Sequence, residues 1–155
     1  MKPKRSSAIH RHEVVILDSA IDANGHTNNV EYVRWMQDVA VRHSAEQGWP
    51  MERYAREGTG WVVRSHSIEY LLPSRAGDEL TVLTWVAGFR TRSSPRRYLF
   101  WRASDRQVLA RAETLWVFVD AGTGRPRSIP KELASAFEVV PDGEEVLEEL
   151  RQGIP

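Results

Sequence analysis

The chain has 155 residues, no cysteine, and 21 basic residues against 21 acidic ones. That length suits a single domain (1–155, with a core from about 10 to 130 and a helical tail over 131–155). The missing cysteine excludes a disulfide frame, a thiol nucleophile and a zinc-thiolate site. Balanced charge offers no field of one sign to nucleic acid or an acidic membrane. No apolar segment follows the basic residues 1–7 and no run reaches membrane-spanning length, so the sequence predicts a cytoplasmic protein.

Residues 1–9 read as a lead-in. From His10 to Leu17 the residues turn β-rich, and a polar loop follows over 18–28. The spacing of Tyr32, Val33, Met36, Val39, Ala40 and His43 predicts an amphipathic helix over 29–47. Asn28 is a good N-cap, and Glu31 three residues on makes the pair resemble a capping box. Gly48 and Pro50 end the helix. A short helix is expected over 51–57. Strands are then expected over 61–72, 79–89, 96–104 and 107–120, with turns at 73–78, 91–95 and 104–106. Two helical patches, 131–137 and 143–151, close the chain. One long helix against a mainly antiparallel sheet of about five to six strands is an α+β layer pair. Both faces of the 79–89 strand are moderately apolar, so one helix cannot cover both faces of a flat sheet. A second copy of the chain is the expected cover, the alternative being a sheet that curls around the helix.

The loop carries the chemistry. Between Ile21 and Tyr32 stand Asp22, Asn24, Gly25, His26, Asn28 and Asn29, immediately before a helix start whose first N–H groups lack intrahelical partners. An acid facing such a start can attack a carbonyl while the helix end stabilises the oxyanion. Asp22 also suits plain turn organisation, and Asn24 and His26 suit structural roles equally well. No histidine has ligand-like spacing with carboxylates, so no metal site is read.

With Glu69-Tyr70, Gly77-Asp78 and the tail from Val119 to Pro130, this motif resembles the hotdog-fold thioesterases. Both the 4-hydroxybenzoyl-CoA thioesterase type and the acyl-carrier-protein thioesterases share it. The likeness runs from about Val14 to Pro130. It implies a hotdog fold, acyl-CoA or acyl-carrier-protein substrates, no cofactor, and a homodimer or homotetramer. It gives Asp22 as nucleophile or general base and the Asn29 N–H as the carbonyl-polarising donor. Asn24 and His26 become network residues, and Gly25, Asn28, Tyr32 and Met36 line the substrate site. Trp35, Trp61 or Trp85 are candidates to wall an acyl tunnel, and Arg90, Arg92, Arg96 and Arg97 form the densest basic group. Two departures stand out. Ala20 replaces an acidic residue common two positions before the catalytic one, and Pro73 falls where the plant-type carrier-protein enzymes place a glutamate. A hotdog hydratase or dehydratase and a non-catalytic acyl-CoA-binding protein remain as alternatives.

Overall fold

A computed structural model describes residues 8–153, and residues 1–7 of the expected lead-in lie outside them. Among these residues five strands, β1 (Ile9–Val15), β2 (Thr59–Tyr70), β3 (Glu79–Val86), β4 (Ser93–Arg102) and β5 (Gln107–Asp120), form one antiparallel sheet in the order β1-β3-β4-β5-β2. The helices are α1 (Asn29–Glu46), α2 (Met51–Arg56), α3 (Lys131–Ser135) and α4 (Gly143–Arg151). The expected α+β layer pair is present. None of the described helices is long and apolar enough to cross a membrane.

Helix α1 lies on one face of the sheet. Its i, i+3/i+4 stripe buries Tyr32, Met36, Val39, Ala40 and His43. The stripe packs on Leu80 and Val82 of β3, Tyr98 and Phe100 of β4, and Ala110 and Ala112 of β5. On its outer face Arg42 pairs with Asp38 at 2.8 Å, one turn away. Gly48 follows the C-cap at φ +92, a conformation that glycine adopts without a Cβ clash, and it turns the chain out of the helix.

The other face is covered from within the chain. Val146, Leu147 and Leu150 of α4 close over Leu83, Trp85, Leu99 and Trp101. Asp142 caps α4 by accepting the Glu144 N–H at 2.9 Å. The approach is pinned by Val140 N–H donating to the Val86 carbonyl at 2.9 Å and by Arg97 donating to the Pro141 carbonyl at 2.7 Å. The two-sided apolar pattern of β3 is thus met by the chain's own tail and does not by itself require a second copy. The sheet has two edge strands, β1 and β2; on β2, paired only with β5, Val62 and Val63 are exposed.

Several boundaries differ from the sequence reading by two or three residues, and two of them have a clear cause. β4 begins at Ser93, so Pro95 sits inside a strand, opposite Leu115. It is tolerated because it lies just past the last β3 pair, Val86 with Arg96. Its carbonyl accepts the Ala87 N–H at 2.9 Å, while the proline nitrogen has no hydrogen to return the bond. β3 therefore ends at Val86 and does not continue to Phe89. The capping box is half made as well. Asn28 Oδ1 accepts the Val30 N–H at 3.0 Å, but the Asn28 N–H goes to the Ala20 carbonyl at 2.7 Å, and Glu31 turns to Arg34 at 3.6 Å.

Candidate active site

The loop between β1 and α1 folds back on itself as a small hairpin. Ile21 and Thr27 form an antiparallel bridge. It is flanked by the Asp22 N–H donating to the His26 carbonyl at 2.8 Å and by the Asn28 N–H donating to Ala20. The turn closes with the Gly25 N–H on the Asp22 carbonyl at 3.1 Å, and Gly25 takes φ +79, where a side chain would be strained.

Asp22 stands at the closed end of this hairpin, half-buried. Its Oδ1 accepts the N–H of Asn24 at 2.9 Å and of His26 at 3.2 Å. Oδ2 takes no hydrogen bond from any described residue. Turn organisation and chemistry therefore do not compete for this carboxylate. One oxygen holds the loop and the other is free of protein hydrogen bonds among the described residues.

The return arm of the hairpin runs straight into α1. Asn28 consumes two of the open helix donors, Val30 N–H with its side chain and Glu31 N–H with its carbonyl at 3.0 Å. The exposed Asn29 keeps its N–H unbonded among the described residues, at the positive end of an 18-residue helix. A carboxylate and an open amide donor thus sit on the two ends of one short hydrogen-bonded hairpin. These are the kinds of group that can attack a carbonyl and hold its oxygen.

What fixes the hairpin on the fold is a buried relay. Thr27 donates both its N–H (2.9 Å) and its hydroxyl (3.2 Å) to the Ser74 carbonyl. Ser74 Oγ donates to Thr27 Oγ1 at 2.6 Å, and Tyr32 OH lies 3.0 Å from Ser74 Oγ. A serine hydroxyl has one hydrogen, so with that hydrogen on Thr27 the Tyr32 phenol must be the donor to Ser74. Thr27, Ser74 and Tyr32 are all buried, and burial pushes the Tyr32 phenol above its ordinary value. The 73–78 turn is held in its own right by Arg102, which donates to Asp78 Oδ2 at 3.0 Å and to the Pro73 carbonyl at 3.3 Å.

The other expected residues are placed as follows. Asn24, Gly25 and Asn28 are exposed on the hairpin, and His26 is half-buried. Asn24 and His26 support Asp22 through their backbones, and neither side chain hydrogen-bonds to a described residue. Tyr32 packs edge-on against Trp35, Tyr70 and Phe100, with ring centroids at 5.4, 5.3 and 4.9 Å. Met36 is fully buried one turn further along α1. Trp85 lies on the sheet face opposite α1, against α4, and so cannot wall a space beneath α1. Arg96 is buried, apart from the surface arginines grouped with it in sequence. No group of three or more His, Asp or Glu among the described residues could hold a metal ion. Ser74 and Arg102 escape the sequence reading because nothing in an ordinary-looking turn and strand end marks them.

A long helix held on an antiparallel sheet, with an acid-bearing loop at its N-terminus, defines the hotdog class. Residues 16–137 match the thioesterase-like superfamily, and the chain belongs to that family. Among curated relatives, it is 25% identical over 133 residues to the acyl-CoA thioester hydrolase YbgC of Escherichia coli, spanning 86% of this chain and 98% of the relative. It is 23% identical over 134 residues to a chloroplastic acyl-acyl carrier protein thioesterase of Arabidopsis thaliana, spanning 86% and 70%. Among solved structures, a Staphylococcus aureus protein in complex with CoA superposes with a TM-score of 0.79 at 15% identity, covering 89% of this chain and 91% of that one.

Proposed function

We propose that the chain hydrolyses acyl thioesters of CoA or of an acyl-carrier protein to the free acid and the thiol. The observation that carries this reading is the pairing of an Asp22 oxygen free of protein hydrogen bonds with the open Asn29 N–H, across a hairpin bonded at Ala20 and Asn28. The thioester oxygen rests on the Asn29 N–H, where negative charge developing at the carbonyl is stabilised by the helix end. Asp22 Oδ2 then takes a proton from a water that adds to the carbonyl, or adds itself to give an anhydride that water opens. In either route the C–S bond breaks and the thiolate leaves. The names of the curated relatives support this substrate class.

Tyr70, Leu71 and Leu72, at the end of β2 and its exit, are exposed apolar residues. Tyr70 already packs on Tyr32. A second copy added along the unpaired edge of β2 would cover Val62, Val63 and this apolar rim.

The test is a thioester panel. Purified protein should release CoA from acyl-CoAs and acid from acyl-carrier proteins, and it should not hydrate an enoyl-CoA. Hydration without hydrolysis would transfer the site to a dehydratase reaction, and binding without turnover would leave a non-catalytic protein.

A further inference from the structure

A cavity of ≈ 310 Å³ opens along the C-terminal half of α1, from Gln37 to Ser44, among α1, α2, the start of β2 and the adjoining parts of β4 and β5. At about 1.5 Å rise per residue, its wall residues Ala40 and Ser44 lie roughly 16 and 22 Å beyond Asn29. Its walls include five aromatic residues, Tyr54, Trp61, Phe89, Trp116 and Phe137. The hydroxyls on those walls are already committed. Ser44 donates to the Trp49 carbonyl at 2.8 Å, Thr59 to the Tyr54 carbonyl at 3.3 Å, and Ser94 to the Gly88 carbonyl at 2.6 Å.

The exceptions are the Trp116 indole N–H, which is buried without a partner among the described residues, and Arg96. Arg96 lines the cavity at 6% exposure, and every hydrogen bond it makes runs through one nitrogen. Nη1 donates to Thr84 Oγ1 at 3.1 Å and to His43 Nδ1 at 2.9 Å. Nε and Nη2 bond to no described residue, and no described carboxylate reaches ion-pair distance of the guanidinium. Burial pulls its pKa below the ordinary arginine value, and the groups opposing that pull are only the phenols of Tyr98 and Tyr54. Arginine nonetheless stays protonated in proteins. A buried cation without a counter-ion is among the costlier features a fold can carry. Here Arg96, whose guanidinium carbon also lies 5.9 Å from the Phe137 ring centroid, lines an apolar hollow.

We propose that this cavity binds a small monocarboxylic acid, its carboxylate on Nε and Nη2 of Arg96 and its apolar or aromatic body against Trp61, Phe89, Trp116 and Phe137. The planar guanidinium fork matches a carboxylate in two-point contact, and the Nη1 bonds to Thr84 and His43 hold that fork in place. A single arginine balances one negative charge, so a phosphate dianion would leave surplus charge among aromatic rings. The volume has room for about ten non-hydrogen atoms, at the roughly 30 Å³ that one water occupies in the liquid. The proposal does not rest on the thioester reading, because it is tested by binding alone.

Octanoate and 3-phenylpropanoate are titrated calorimetrically into the full chain beside octanamide and 3-phenylpropanamide, which match them in size without charge. The acids are expected to bind one per chain and at least about tenfold tighter than the amides, the scale of a hydrogen bond to a charged group. Arg96→Met should erase that preference, and Arg96→Lys should restore part of it. Acids that bind no tighter than amides, or a preference that survives in Arg96→Met, overturn the proposal. If Arg96→Met does not fold, Ala40→Trp takes its place by filling the cavity from α1. Acid binding should then weaken at least tenfold, and unchanged binding in folded Ala40→Trp overturns the proposal.

Discussion

Removing the Ser74 hydroxyl tests whether the Thr27–Ser74–Tyr32 relay holds the reactive loop. Ser74→Ala deletes the acceptor of the Tyr32 phenol, 3.0 Å away, and the donor to Thr27 Oγ1, 2.6 Å away. Thr27 keeps both its bonds to the residue 74 carbonyl, so the backbone tether survives. The Tyr32 O–H, at 3% exposure, is left without an acceptor. One orphaned buried donor together with the lost bonds should cost about 2–3 kcal/mol. For a domain of this size that is a fall of roughly 4–12 °C in melting temperature. Tyr32→Phe removes the orphan instead of creating it and should cost only about 1 kcal/mol. The double variant should then be no less stable than Ser74→Ala alone, leaving the two single effects non-additive by about 1 kcal/mol or more. Thermal unfolding of the four proteins, with acyl-CoA turnover in parallel, measures the cycle, and turnover should fall with the loosened hairpin. Additive effects, or a Ser74→Ala protein within about 0.5 kcal/mol of wild type, would refute the relay as drawn.

Two further outcomes are expected. Leu147→Ala opens a void between α4 and Trp85 and should destabilise the chain by about 2–4 kcal/mol, read by denaturant unfolding; a neutral result would mean that α4 is not part of the core. Light scattering at micromolar concentration should give at least twice the 17.7 kDa chain mass, and Val63→Asp, which puts a charge on the β2 surface, should shift the population toward the single-chain mass. A monomeric, fully active wild type would count against the β2 interface.

Much of the fold is legible in the residues because its elements obey local periodicities. The stripe from Tyr32 to His43 becomes the buried face of α1, and the β-rich runs become strands within a few residues of their expected ends. What escapes is set by pairing and packing. Pro95 reads as a turn residue, yet it survives in β4 because β3 has just run out beside it. The two-sided apolar pattern of β3 calls for cover, but pattern alone cannot say that α4, some sixty residues later, supplies it. The motif marks Asp22 and the start of α1, while Ser74 and Arg102 act on the loop only through tertiary contacts. Arg96 looks like one of a surface group until the fold places its side chain beneath α1. The arrangement of Asp22 and Asn29 is equally tertiary. It depends on the bridge between Ile21 and Thr27, which no spacing rule announces.

The claim on which the account rests is that Asp22 does the chemistry, and turnover of a fatty acyl-CoA by Asp22→Asn tests it most directly. The asparagine oxygen can still accept the N–H groups of Asn24 and His26, so the hairpin should stay folded and circular dichroism should match wild type. Only the charge and basicity at Oδ2 are lost. Turnover is predicted to fall by about 10²–10⁴-fold, the contribution typical of a general base. His26→Ala and Asn24→Ala should fall far less, since their holds on Asp22 are backbone ones. A folded Asp22→Asn protein that keeps more than roughly a tenth of wild-type turnover, well above the general-base expectation, would contradict the account.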